Sequence, residues 1–153
     1  MKAKLLSDSD GRREWVVVFD ADDEAIAGLN QFAAEQSLAA AHFTGIGAFA
    51  RVTVAWFDLQ TRQYRPIEID EQVEVLSLIG DIAESDGKPS VHAHICVAKK
   101  DGGAHGGHLR SGRVLPTLEL IVSEAPAHLR KMFRPEFGLA LIDVDRSTAG
   151  KSS

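Results

Sequence analysis

Val91–Leu109 reads VHAHICVAKKDGGAHGGHL. Its first seven residues alternate: Val91, Ala93, Ile95 and Val97 fall on one side, His92, His94 and Cys96 on the other. A period of two marks a strand with one face in a core, because successive side chains of an extended chain point to opposite faces. The KKDGG that follows, Lys99–Gly103, carries the Asp-Gly signal of a hairpin turn. The chain then returns through Gly106, Gly107 and His108. The stretch predicts an antiparallel pair, and it gathers four of the chain's six histidines, so their clustering asks for an explanation.

On such a strand His92 and His94 stand about 7 Å apart at Cα on one face, which lets both rings converge on one ion. Neutral imidazole nitrogen suits zinc, copper, nickel or iron. The turn brings either His105 or His108 back alongside, and the glycines before His108 favour it by permitting close approach. Three histidines and one open position make a zinc site of the catalytic kind; a closed structural site would recruit His105 or the carboxylate of Glu119. At an open site Glu119 is the candidate general base. Cys96 shares the histidine face as a possible soft ligand, although a lone cysteine reads first as a small core residue. Arg110 and Arg113 flank the Gly-Gly-His segment and read as surface charges or intersubunit pairs, with an anion contact as the other role. No role is assigned to His42.

Working outward, EWVVVF (residues 14–19) reads as a strand buried on both faces. An amphipathic helix is expected over about 22–37, capped by Asp20 or Asp22, with Ile26, Leu29, Phe32 and Ala33 at helical spacing. From Ala39 the texture is β. A short strand, a bend at Gly45–Gly47 and a long strand to about Leu59 are followed by QYRPIEI and EQVEVLSLIGDIA. After the hairpin come RVLPTLELIVSEA, with Pro116 marking an edge or bulge, then EAPAHLRKMF as one or two helical turns, then GLALIDV. Asp81, Glu84 and Asp86 read as a solvated turn, and Glu74 as part of a half-exposed strand face. One helix with about seven strands is an α+β domain: a mostly antiparallel sheet or sandwich with helix cover near the N-terminus. Its bounds are residues 13–144, after a flexible 1–12 and before a disordered tail at 145–153. Apolar strands such as VLSLIG suggest a partner subunit over one sheet face.

The chain has 153 residues, is 44% hydrophobic and 25% charged, and carries a net charge of -5. It suffices for one core, and the charge argues against a surface built to neutralise duplex phosphates. A single cysteine, Cys96, excludes an intrachain disulfide and fits a reducing cytoplasm. No stretch reaches membrane-spanning length, and the polar N-terminus is unlike a secretory signal. Two phosphate-like strings fail on context. GIGAFA (45–50) leads into a strand where a dinucleotide fingerprint needs a helix, and GKSS (150–153) has no helix after it.

The run from VLSLIG through VHAHICV, DGG, GGHL and TLELIV resembles the PPC (plants and prokaryotes conserved) domain. Leu76, Ser77, Leu78 and Gly80, the pair His92 and His94, Asp101–Gly102, Gly106–Leu109, and Thr117 with Glu119 follow the family order, with TGIGAF (44–49) upstream. The resemblance covers about residues 13–144. It implies a compact α+β fold, a homotrimer, and a metal site, zinc or another divalent transition metal, formed by His92, His94 and His108. His105 falls at a variable family position and becomes accessory. A ligand-binding or regulatory role follows for the module, with a small molecule at the metal. Stand-alone bacterial relatives carry an inferred DNA-binding label, so nucleic acid enters as a partner by analogy only. The AT-hook core that accompanies the domain in plants is absent: SGRVLP (111–116) is not one. A metal-dependent enzyme of unknown substrate is the third reading, and no membrane partner is expected.

Overall fold

The computed structural model describes residues 1–149. Nine strands and one helix follow in the order β1 (Lys2–Ser9), β2 (Arg12–Phe19), α1 (Ala25–Glu35), β3 (Ala40–Asp58), β4 (Gln63–Ile69), β5 (Val73–Ser85), β6 (Lys88–Ala98), β7 (Ala104–Glu124), β8 (His128–Arg134) and β9 (Leu139–Thr148). All nine belong to one sheet, ordered β1-β2-β7-β3-β5-β8-β9, with β4 on β3 and β6 between β5 and β7. The expected α+β class with one helix is what the chain adopts. The sheet is a single curled layer that closes through the circuit β3-β5-β6-β7.

The core lies inside the curl. Phe19, Phe43, Phe49, Leu78, Ile82, Val97, Leu118 and Leu120 are fully or almost fully buried there. Helix α1 covers it with Leu29, Phe32 and Ala33, and Phe32 meets Trp15 edge-on at 5.8 Å between ring centres. The apolar spacing set the helix face correctly, but its first residue is Ala25 and its cap is Glu24, whose Oε2 accepts from the Ala27 amide at 2.6 Å. Asp22, at φ +71, is outside any capping geometry, and Asp23 is drawn instead to the N-terminal ammonium at 2.6 Å.

Three expectations about the ends are corrected. Residues 1–12, read as flexible, include β1 and the start of β2, a hairpin closed at Asp10–Gly11 with both residues at positive φ. Every residue of β1, KAKLLSDS, is exposed, so it carries no buried face to read, and the Asp-Gly turn is the signal available. EAPAHLRKMF, read as helical turns, is mostly β8, paired antiparallel with β9. The tail assigned to 145–153 overlaps β9, which runs to Thr148, and GKSS at 150–153 lies outside the described residues.

The glycine bend and Pro116 turn out to be one feature. Gly47 pairs with Leu118 and Phe49 with Val114, so four steps along β7 are matched by two along β3, and Pro116 lies in that bulge. The β3–β5 register also slips between Gly45 and Gly47. Bulges of this kind bend a strand and raise its twist. Here they let 19-residue β3 and 21-residue β7 turn the corner that closes the curl. A Cβ on Gly47, at φ +155, would sit 2.7 Å from the Leu118 Cα and closer still to the Thr117 carbonyl oxygen. Gly47→Ala is therefore expected to destabilise the fold by about 2 kcal/mol through overpacking against backbone. Urea unfolding measures it; a change within error would mean that the corner tolerates a side chain.

Candidate metal centre

β6 keeps the alternation read from its sequence: Ala93, Ile95 and Val97 are buried, while His92, His94 and Cys96 point outward. The turn closes with Gly102 N–H donating to the Lys99 carbonyl at 2.9 Å and Lys99 N–H to that of Gly103 at 3.0 Å. β7 then returns in a register that places His108 directly opposite His94. Gly106 and Gly107 make this approach possible. A Cβ on Gly106 would stand 2.7 Å from the Ile95 carbonyl oxygen, and one on Gly107 2.7 Å from that of Ala55.

One ring nitrogen from each of His92, His94 and His108 lies within 4.8 Å of the other two. The ring centres are 5.1, 5.2 and 5.7 Å apart. Asp81, opposite His92 on β5, holds His92 Nδ1 from Oδ2 at 3.2 Å. A carboxylate behind an imidazole fixes its tautomer and aims its other nitrogen, as outer partners of metal-binding histidines do. His108 Nδ1 is buried with no hydrogen-bond partner. Burial and the neighbouring His92 and His94 push the His108 ring down to about 4. Burial, then His92, also lowers His94, against an opposing pull from Asp81. Both rings are thus neutral at pH 7 with lone pairs to offer. An orphaned buried nitrogen, neutral rings and an all-nitrogen donor set fit a transition metal.

The surroundings were less visible beforehand. Tyr64 of β4 packs its ring 4.6 Å from that of His108, and the Arg110 guanidinium lies 5.5 Å over Tyr64. Burial raises the Tyr64 phenol, with Arg110 opposing. Asp81 and Glu84, read as a solvated turn, stand on β5; only Asp86 is in the turn. Burial pushes the Asp81 carboxyl up, but the bond from His92 and the nearby Lys131 ammonium outweigh it and leave it low. Glu84 holds His128 Nε2 at 2.6 Å. No local pattern marks Asp81 or Tyr64, because cross-strand register alone brings them here.

Five other residues singled out in the sequence lie outside the trio. Glu119 pairs with Val18 and Ile46 and lines a groove with Leu76, Ile79 and Ile121, so the chain does not bring this carboxylate to its own histidines. His105 pairs with Val97 near the hairpin tip, outside the cluster. Arg113 donates to the Asp22 carbonyl at 2.5 Å, a local tie at the start of the helix segment. Cys96 is half-buried on the histidine strand but outside the trio. His42 faces Asp81 in the β3–β5 register, from the side opposite His92.

Comparison with known proteins adds three likenesses. A candidate DNA-binding protein from Bacteroides thetaiotaomicron superposes with a TM-score of 0.86 at 26% identity, over 94% of this chain and 99% of its own. A metal-containing protein from Archaeoglobus fulgidus gives a TM-score of 0.77 at 29% identity, over 85% and 92% of the two chains. A curated relative, the bifunctional protein GlmU of a Synechococcus species, is 33% identical over 99 residues, 63% of this chain. The chain spans only 15% of that relative's length. No helix among the described residues is long and apolar enough to cross a membrane. The pattern of the Plants and Prokaryotes Conserved (PCC) domain runs through residues 7–126, from β1 past the histidine hairpin to the end of β7, and the chain belongs to that family.

Proposed function

We propose that this protein is a trimeric module whose histidines His92, His94 and His108 hold a transition metal, zinc by preference, for a ligand-binding or regulatory role. The observation that carries the reading is the convergence of three ring nitrogens within 4.8 Å on one strand pair, with a carboxylate behind His92. The metal-containing relative from Archaeoglobus fulgidus supports it. Three protein ligands leave at least one position open, where a bound ion would supply Lewis acidity to a small ligand. His92 Nδ1 is engaged by Asp81, so Nε2 is the nitrogen it would offer. Exposed Ile46, Leu76, Ile79 and Ile121 share the outer sheet face with the histidines: Ile79 stands beside His94 in register, and Thr44 joins Ile79 to Ile121. An apolar face of this kind is what a second copy would cover. The DNA-binding reading rests on the name of a neighbour, against a net charge of -5. Enzymatic use of the open position is the remaining alternative; Glu119 of the same chain does not supply its base.

Metal content decides first. Protein purified without a nickel column is expected to carry near one equivalent of zinc or another transition metal per chain by mass spectrometry, and a His92→Ala/His94→Ala variant none. Wild-type protein that holds no metal and takes up none would overturn the reading.

The neutral rings also set a pH dependence. An unfolded His108 binds its proton below about 6.5, whereas the folded ring waits until about 4. Between those values the unfolded chain holds the extra proton, so the metal-free protein loses stability as pH falls through that window and no further from this group below it. Urea midpoints of the metal-free protein should show this decline, and His108→Gln should flatten it. Parallel pH profiles in the two proteins would remove His108 from the account.

For assembly, light scattering should give the mass of three chains for the wild type. Ile79→Glu, which puts a charge into the apolar face, should give a monomer with unchanged circular dichroism. A variant that stays trimeric would move the interface elsewhere.

A further inference from the structure

Lys131 belongs to β8, beyond the residues that match the family pattern. Its side chain is only 6% exposed, and its ammonium lies 2.8 Å from Asp81 Oδ1. The ammonium donates instead to the Ser90 carbonyl, at 3.3 Å, while Oδ1 has no aligned donor. The Lys131–Asp81 contact is thus mainly one of charge. The other Asp81 oxygen holds His92 Nδ1, and Ser90 precedes His92 by two residues on β6. The chain has therefore buried a cation against the one carboxylate that supports the histidine trio. Burying an ammonium is costly, and a lysine that only filled space would be replaced readily by an apolar chain.

Its effect on a neighbouring cation has a definite sign. A free carboxylate behind His92 would raise the basicity of the ring and add negative charge beside the ion, and both strengthen binding. Lys131 offsets that charge and adds its own repulsion of a divalent ion. A site meant only to hold its metal as tightly as possible has no use for it. Resting on the metal-binding reading above, we propose that Lys131 is a positioning residue that acts through Asp81 to weaken the hold of His92 on the metal, keeping the ion electron-poor toward a ligand at the open position.

A mere brace and this charge effect predict opposite signs. Cobalt(II) titrations of the metal-free wild type, Lys131→Met and Lys131→Arg, followed in the visible spectrum, separate them. Lys131→Met should bind cobalt(II) about tenfold more tightly, the size of a typical outer-partner effect on a metal site. The pH midpoint of its spectral change should rise by about one unit, since a better-supplied ion acidifies its open position less. Lys131→Arg, which keeps the charge, should stay near wild type in both. Asp81→Asn, which removes the carboxylate and not the lysine, should bind more weakly than wild type. Equal or weaker binding by Lys131→Met would overturn the proposal, as would an arginine variant that behaves like the methionine one. If Lys131→Met does not fold, Asp81→Asn decides: tighter binding there sinks the charge argument. Failure of wild-type protein to bind cobalt(II) at all would strike the metal reading itself.

Discussion

The pairing of β3 with β7 is the constraint on which the other elements depend. Both strands are too long for a flat sheet of this size, and both bend where Gly47 and the Pro116 bulge meet. The bend gives each strand two sets of neighbours. The outer half of β7 takes β6 and the end of β3, and its inner half takes β2 and the start of β3. The β6–β7 hairpin fixes His108 opposite His94, and the corner lets that hairpin join β3 and β5 in a closed circuit. The core phenylalanines and the helix that caps them pack inside the curl that this crossing closes, and the histidine trio sits on its outer face.

The histidine face combines two opposed tendencies. Partial burial removes charge from His94 and His108, which readies them for a metal. Asp81 keeps its charge in a half-buried place because His92 and Lys131 both attend it. The site therefore contains neutral donors in front and a compensated ion pair behind. That arrangement leaves the positive charge of a bound ion largely unmatched by protein, in a molecule that is acidic as a whole. A metal held there as proposed would favour small anionic ligands, whereas a long polyanion would meet repulsion from the acidic molecule as a whole.

What the sequence could reveal follows from the range of each signal. Strand alternation and the Asp-Gly turn are local, and they placed His92, His94 and His108 together before any coordinates. Helical spacing found the buried face of α1, while its cap was mistaken because Asp20, Asp22, Asp23 and Glu24 compete within five residues and only the entering backbone angle chooses. Asp81, Tyr64 and Lys131 come from three other strands. Nothing in their own segments distinguishes them from surface residues, and register over long separations decides that they meet. Strand β8 was misread for a related reason. HLRKMFR has no clean period, and it is held as a strand by β9 and by its tie to β5 at Glu84.

The position of that last hairpin bears on how the site works. β8 meets the body through Glu84, which holds His128 and Arg130, through Asp81 beside Lys131, and through the Leu129 amide, which donates to the Ala39 carbonyl. Its outer residues, together with those of β9, leave Phe133, Leu141, Ile142 and Val144 exposed. The element that presses a cation against Asp81 is paired along its length with β9 and meets β5 at a single bridge. On the proposed reading, a change in how the hairpin sits alters the charge felt by His92 without moving the histidines. Were a metal held there as proposed, its affinity and the grip of the hairpin would be coupled through one carboxylate, and by linkage each would influence the other equally.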